Sequence, residues 1–315
     1  MLNLPVFHDV ENAHLLIGSL VHRTPVLTSE SINRITGAEL FFKCENFQKV
    51  GAFKFRGASN AVLSLSDTVA HKGVATHSSG NHAAALALAA RNRGITAHVV
   101  MPENAPKIKI AAVKSYGANI TFCQATLEAR ESTLNQVIAE TGASEIHPYN
   151  NFYVIAGQGT AAKELLEDSS LLDMLLCPVG GGGLLSGTAI STKALSPFTK
   201  VIACEPAGAD DAFRSFYGNQ IYPSLKPNTI ADGLLTSLGE INYAIIKQLV
   251  DAVVTVSEEA IIEAMRMVWE RMKIIIEPSS AVPLAAILEK KVHVENLRVG
   301  IIISGGNVDL NQLPF

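Results

Sequence analysis

The apolar run Met174-Leu175-Leu176-Cys177-Pro178-Val179, followed at once by Gly180-Gly181-Gly182-Gly183, restricts the fold more than any other stretch of the chain. The apolar residues describe a strand buried inside a sheet. Four glycines after it let the backbone approach an anion closely, and a helix over Leu184–Ala194 turns its free N–H groups toward the same point. A purely structural turn rarely needs four glycines, so this loop is expected to cradle a phosphate. Two familiar phosphate motifs fail here. A P-loop requires Gly-Lys-Ser/Thr where Leu184-Leu185-Ser186-Gly187 stands, and G-x-G-x-x-G fits no register of Gly180–Gly187, although Glu205 superficially resembles its ribose-binding acid. That disfavours a nicotinamide or flavin oxidoreductase and leaves a smaller phosphorylated cofactor.

Strand and helix patterns alternate around this loop. Strands are expected at Glu39–Glu45, Gly73–His77, Ala97–Pro102, Asn119–Cys123, Lys200–Cys204, Ala252–Val256 and Val299–Ser304, separated by helices such as Arg56–Ser66, Ala83–Arg93 and Ser257–Met272. The alternation predicts an α/β fold of open, twisted, mostly parallel sheets covered by helices. At 315 residues the chain has room for two domains. No linker or repeat separates them, so the second is expected as an insert: residues 73–147 as a small domain, with 1–72 and 148–315 forming the large one.

Composition excludes several classes. A net charge of −4, from 25 basic and 29 acidic residues, gives no footprint for a nucleic-acid polymer. No apolar run reaches membrane-spanning length and the N-terminus lacks a secretory pattern, so a cytoplasmic protein is expected. Cys44, Cys123, Cys177 and Cys204 form no C-x-x-C pair and are expected to be reduced, buried thiols.

The chemistry centres on Lys54, within Gly51-Ala52-Phe53-Lys54-Phe55-Arg56-Gly57. Phenylalanines and glycines around a lysine favour a dry site, and burial lowers a lysine pKa toward the range where its amine is a nucleophile. Ser78-Ser79-Gly80-Asn81-His82, between a strand and an alanine-rich helix, forms a turn whose following N–H groups suit a carboxylate. A reactive lysine with a phosphate cradle is what pyridoxal 5′-phosphate requires, and Ser304, closing the last strand before Gly305-Gly306, could meet its ring nitrogen. A neutral partner there favours elimination and proton exchange over transamination.

With the lysine loop, the Ser-Ser-Gly-Asn-His turn, the tetraglycine and Ser304-Gly305-Gly306-Asn307 in this order, nearly the whole chain resembles the fold-type II (tryptophan synthase β-like) pyridoxal phosphate enzymes, within them the serine racemase and serine/threonine dehydratase branch. The resemblance implies a lyase or isomerase acting on L-serine, L-threonine or threo-3-hydroxyaspartate. In it, Lys54 forms the Schiff base and takes the Cα proton. Ser79 faces the opposite side of Cα and permits racemisation, or else anchors the substrate carboxylate with Ser78, Asn81 and His82. Phe53 and Gly233 flank the ring, Asn81 meets its hydroxyl, Gly180, Gly181, Gly182 and Gly183 with the Leu184 N–H hold the phosphate, and Ser304 meets the ring nitrogen. Arg130 matches a substrate-contacting arginine and would favour a second carboxylate. Tyr149 departs from the mammalian racemase pattern, which has asparagine there, and leaves substrate choice open.

Further expectations follow from the same resemblance. Glu205, Ala209 and Asp211 correspond to a Mg²⁺ or Ca²⁺ loop, with two carboxylates and a carbonyl as oxygen ligands. A homodimer is expected, with ATP as an effector near Lys49, Lys114 and Tyr116. The chain ends eleven residues after Ser304, without room for the regulatory domain of biosynthetic threonine dehydratases. A β-replacement enzyme of the cysteine synthase type, and a non-enzymatic phosphate-ligand binder, stand as alternatives.

Overall fold

The computed structural model describes residues 2–315. Its strands are β1 (Val26–Leu27), β2 (Glu39–Cys44), β3 (Val74–His77), β4 (Ala97–Pro102), β5 (Asn119–Cys123), β6 (Ser144–Glu145), β7 (Met174–Pro178), β8 (Lys200–Pro206), β9 (Ala252–Val256) and β10 (Arg298–Ile303). They form a six-stranded sheet, ordered β1-β2-β10-β7-β8-β9, and a four-stranded sheet, ordered β5-β4-β3-β6. Every pairing is parallel except β1 with β2. The strands of the four-stranded sheet all lie between residues 74 and 145, and those of the larger sheet lie on either side of that stretch.

The apolar β7 run has a direct cause. Leu176 packs against helices Glu258–Met272 and Pro278–Leu288 on one face of the sheet, while Leu175 and Cys177 pack against helices Phe152–Asp168 and Gly183–Leu195 on the other. A central parallel strand covered on both faces has no position for a polar side chain. β5, at the edge of the smaller sheet, is largely exposed and accordingly carries Asn119 and Thr121. Because β2, β10 and β7 are adjacent and parallel, their C-terminal ends meet along one edge of the sheet. From that edge emerge the lysine loop, Ser304 and the tetraglycine. It lies where the strand order reverses, the usual place for a ligand in an open α/β sheet.

Several boundaries differ from the sequence expectation. The helix expected from Arg56 begins at Lys54 and ends at Leu63. Helix Phe152–Asp168 starts where the Asn151 side chain accepts the Val154 N–H at 3.0 Å. Helices Asp211–Gly218 and Glu240–Leu249 occupy stretches the sequence reading left irregular. Ile241, Ile245, Ile246 and Leu249 have helical spacing and could have revealed the second. The four cysteines are all buried and free. Among the described residues, no helix is long and apolar enough to cross a membrane.

Beneath the lysine, helix Lys54–Leu63 crosses helix Phe152–Asp168 at bare backbone. A Cβ on Gly157 would stand 2.7 Å from Gly57 Cα and 2.8 Å from Arg56 O. Beside this crossing the Arg56 guanidinium, fully buried, donates to Glu45 Oε1 and Oε2 (2.8 and 2.7 Å) and to both Glu164 oxygens (2.8 Å each). Lys43 Nζ, also fully buried, donates to Glu164 at 2.7 Å and to the Thr24 carbonyl at 2.7 Å. Two cations and two anions thus neutralise one another. Burial alone would raise the Glu164 pKa, but Arg56 and Lys43 hold it below the ordinary carboxylate value. Removing one member of such a cluster leaves an uncompensated buried charge. Glu164→Ala is therefore expected to cost about 3–5 kcal/mol, measured by denaturant unfolding against the parent protein.

Candidate active site

Lys54 is the first residue of its helix, where the unpaired backbone N–H groups disfavour a second positive charge. The turn before it is pinned to β10 by the Phe53 N–H, which donates to Ser304 O at 3.0 Å. Lys54 Nζ donates to the Pro148 carbonyl at 2.9 Å and lies 5.1 Å from the centre of the Phe53 ring. Burial pulls its pKa down to about 8, opposed by the negative charge of Glu277. The reactive-amine expectation thus has a physical basis in desolvation.

Glu277 was missed from the sequence. It is 3% exposed, and its oxygens both accept from Asn81 Nδ2 at 3.1 Å. The Asn307 N–H donates to the same carboxylate at 3.3 Å, and Asn307 Nδ2 donates to Asn81 Oδ1 at 2.9 Å. Burial raises Glu277 to about 7. Its only sequence signal is an acid closing the apolar run Ile274-Ile275-Ile276 just before Pro278, the first residue of a helix. Ser304 is 3% exposed and its hydroxyl lies 3.0 Å from that of Ser280, which also accepts the Gly305 N–H at 2.7 Å.

The Ser-Ser-Gly-Asn-His turn joins β3 to helix Asn81–Arg93. The Ser78 N–H is held by Val100 O at 3.1 Å, and Ser79 occupies the bend before the helix. His82 Nε2 is 3.0 Å from Ile146 O, and burial pushes its pKa down to about 3, so the ring stays neutral. At the rim, His77 and His147 meet edge to face at 6.4 Å, and burial lowers both, His147 to about 4. Arg130 is near enough to His77 to depress it further, and its Nε is buried without a partner. It is not a fully solvated helix-surface charge.

Each tetraglycine residue is crowded by the protein itself. A Cβ at Gly180 would stand 2.9 Å from Leu234 Cα, and one at Gly181 would run into the face of the Tyr149 ring. Gly182 has φ +91°, a conformation that favours glycine, and Gly183 abuts Tyr149. The loop needs four glycines for packing, irrespective of any phosphate. Leu184 follows in the first turn of the helix and is buried. The Gly233 N–H donates to Ser279 Oγ at 3.0 Å on the adjoining loop.

Glu205, Ala209 and Asp211 are gathered at the end of β8, apart from this cluster in the chain. Glu205 accepts the Ala212 and Phe213 N–H groups at 2.8 Å each. Burial nevertheless pushes Glu205 up to about 9 and Asp211 up to about 6, the latter opposed by the Ser224 hydroxyl. Asp210 instead pairs with Arg214 at 2.8 Å. Among the described residues no three His, Cys, Asp or Glu side chains form a metal cluster.

A cavity of about 600 Å³ adjoins the lysine site through Gly80, Asn81 and Asn307. Tyr116, Lys109 and Asp232 line its far side, with Lys109 and Asp232 ion-paired across it. Lys49 and Lys114 do not line it.

The Lys54 environment gives a direct test. Because burial lowers the folded pKa, acylation of Lys54 by an amine-selective reagent, followed by peptide mass spectrometry, should rise with a midpoint near pH 8, well below an ordinary lysine at about 10.4. Glu277→Gln removes the charge that opposes this shift and should move the midpoint lower still.

Residues 17–305 match the family described as pyridoxal-phosphate dependent enzyme. The crystal structure of serine racemase from Dictyostelium discoideum superposes with a TM-score of 0.94 at 53% identity, over 97% of this chain and 99% of that one. The beta-hydroxyaspartate dehydratase of Paracoccus denitrificans is 50% identical over 312 residues, 99% of each chain. The crystal structure of the T.th. threonine deaminase gives a TM-score of 0.93 at 43% identity, over 97% of this chain and 99% of that one. These matches set aside a non-enzymatic phosphate binder and agree with the fold-type II resemblance carried by Lys54, the tetraglycine and Ser304. The chain is a member of the pyridoxal-phosphate dependent enzyme family.

Proposed function

We propose that the chain is a pyridoxal phosphate ammonia-lyase and racemase for small β-hydroxy amino acids: serine, threonine or threo-3-hydroxyaspartate. The observation that carries this reading is the buried Lys54 amine, held near pKa 8 where the lysine loop, Ser304 and the tetraglycine emerge from one sheet edge. The residues fit the cofactor: a glycine loop that any Cβ would obstruct, a neutral serine, and a reactive amine. Bound there, pyridoxal phosphate supplies an electron sink that acidifies the substrate Cα–H.

The chain's own residues do the rest. Gly180 to Gly183 and the Leu184 N–H hold the phosphate, Asn81 the ring hydroxyl and Ser304 the ring nitrogen, with Phe53 and Gly233 on the two ring faces. Freed when substrate binds, Lys54 Nζ takes the Cα proton. Loss of the β-hydroxyl then leads to keto acid and ammonia, whereas return of a proton from Ser79 on the other face gives the enantiomer. Ser78, Ser79, Asn81 and the neutral His82 surround the substrate carboxylate, and Arg130 recognises a second carboxylate where the substrate has one. The division into a 73–147 domain and a 1–72 plus 148–315 domain belongs to the same proposal, supported by the confinement of the four-stranded sheet to residues 74–145.

A divalent cation, Mg²⁺ or Ca²⁺, at Glu205, Asp211 and the Ala209 carbonyl is supported by two buried carboxylates with raised pKa and no cationic partner. Water would complete its oxygen shell. The effector cavity favours Tyr116 and Lys109 over the Lys49 and Lys114 first considered for ATP. A homodimer in the cytoplasm completes the proposal. Exposed Phe47 and Ile275, brought close by the Asn46 side-chain bond to Ile275 O at 3.1 Å, suit a partner surface.

The cofactor-loaded enzyme should be incubated with L-serine, L-threonine and L-threo-3-hydroxyaspartate, following keto acid and D-enantiomer together. Ser79→Ala is expected to cut D-serine formation by about 100-fold or more while keto acid from L-serine persists. Equal loss of both would make Ser79 a carboxylate anchor. The cation has its own signature. Without it, folding takes up protons at Glu205 and Asp211, whose folded pKa values are raised, so stability is greatest at low pH and declines as pH rises through 6 and 9. A cation keeps both ionised and removes that decline. EDTA should therefore lower Tm little at pH 6 and by about 5 °C or more at pH 8.5.

A further inference from the structure

Tyr149 touches more of this site than any role given so far requires. Its ring lies flat over Gly181, and its Cβ stands 3.0 Å from where a Gly183 side chain would begin. Its carbonyl accepts Asn242 Nδ2 at 3.1 Å, and the same amide donates to Gly181 O at 2.8 Å, clipping the tyrosine backbone to the glycine loop. The edge of the His147 ring packs on it at 4.5 Å. The residue before it supplies the carbonyl that holds Lys54 Nζ. On the far side the Tyr149 hydroxyl is hydrogen-bonded to the Thr236 side chain.

Thr236 belongs to the segment running from Gly233 to Gly239. That segment presses on the glycine loop from the opposite direction. Leu234 Cα blocks any side chain at Gly180, Leu238 stands 3.1 Å from where one would begin at Gly182, and the Gly239 N–H reaches Gly181 O at 3.2 Å. Asn150 joins in, its Oδ1 accepting the Ile241 N–H at 3.0 Å. The glycine loop is thus enclosed between Tyr149 and the 233–239 segment, and the phenol to Thr236 bond joins the two sides.

We propose that Tyr149 is a positioning residue that fixes the phosphate-holding loop against the Gly233–Gly239 segment, with its hydroxyl bond to Thr236 as the closing contact. The inference rests on the reading that Gly180–Gly183 hold the cofactor phosphate. Burial raises the phenol above its ordinary value, so it remains protonated at working pH and orders the loop without exchanging protons. The clamp acts on the phosphate-bearing end of the cofactor and leaves the lysine chemistry unaltered.

The test compares wild type, Tyr149→Phe, Thr236→Val and the double variant. Each apoprotein is titrated with pyridoxal 5′-phosphate and with pyridoxal, which lacks the phosphate, by equilibrium dialysis, and its melting temperature is recorded. The proposal expects each single variant to bind pyridoxal phosphate about 3- to 10-fold more weakly, the size of one lost hydrogen bond. The double variant should be no weaker than either single one, pyridoxal affinity should be unchanged, and melting should stay within about 2 °C of wild type. Wild-type affinity in both single variants would overturn the clamp, as would equal losses for both ligands. If wild type itself holds pyridoxal as tightly as pyridoxal phosphate, the phosphate reading of the glycine loop fails, and the clamp fails with it.

Discussion

The site depends on keeping one amine out of water. Desolvation pulls the Lys54 pKa down to about 8 and pushes its nearest acid, Glu277, up to about 7. Burial drives the two in opposite directions, toward the state in which both are uncharged, while their mutual attraction resists. The helix N-terminus at Lys54 and the Pro148 carbonyl on Nζ decide which atoms the amine meets. The glycine crossing with helix Phe152–Asp168 places that helix start close enough to the sheet edge to bury it.

Buried charge elsewhere in the molecule is handled in two contrasting ways. Around Arg56, two cations and two carboxylates satisfy one another so completely that nothing remains for a ligand to supply. Near Glu205 and Asp211, two carboxylates are raised by burial with only hydrogen-bond donors opposing. A balanced cluster serves structure, whereas an unbalanced one marks a place where a charged partner belongs. The Arg56 cluster lies directly below the lysine helix, so the part of the protein that must not move is also the part with its charges matched.

Much of this was legible in the chain. The β7 run announced a central strand because only a strand covered on both faces excludes polar side chains throughout. Lys54 stood out through the phenylalanines beside it, and the glycines through their number. Other features lacked a local signature. Glu277 is one acid among many until the fold lays Asn81 and Asn307 against it from 196 and 30 residues away. Arg56 reads as an ordinary helix residue because its partners Glu45 and Glu164 come from a different strand and helix. Tyr149 was noticed only as a departure from a pattern. Its contact with Gly181 arises from two segments that meet solely because the strand order brings them together.

The sequence by itself determined the fold class, the order of strands and helices, and the residue types able to meet a phosphorylated aldehyde cofactor. These follow from periodicity and from the chemistry each side chain carries wherever it lies. Only the tertiary structure decided which of those groups are desolvated, which charges are matched, and which glycines are required by a neighbouring ring rather than by a ligand. Desolvation and close contact are properties of the surroundings in space, and those surroundings are supplied by segments far apart in the chain.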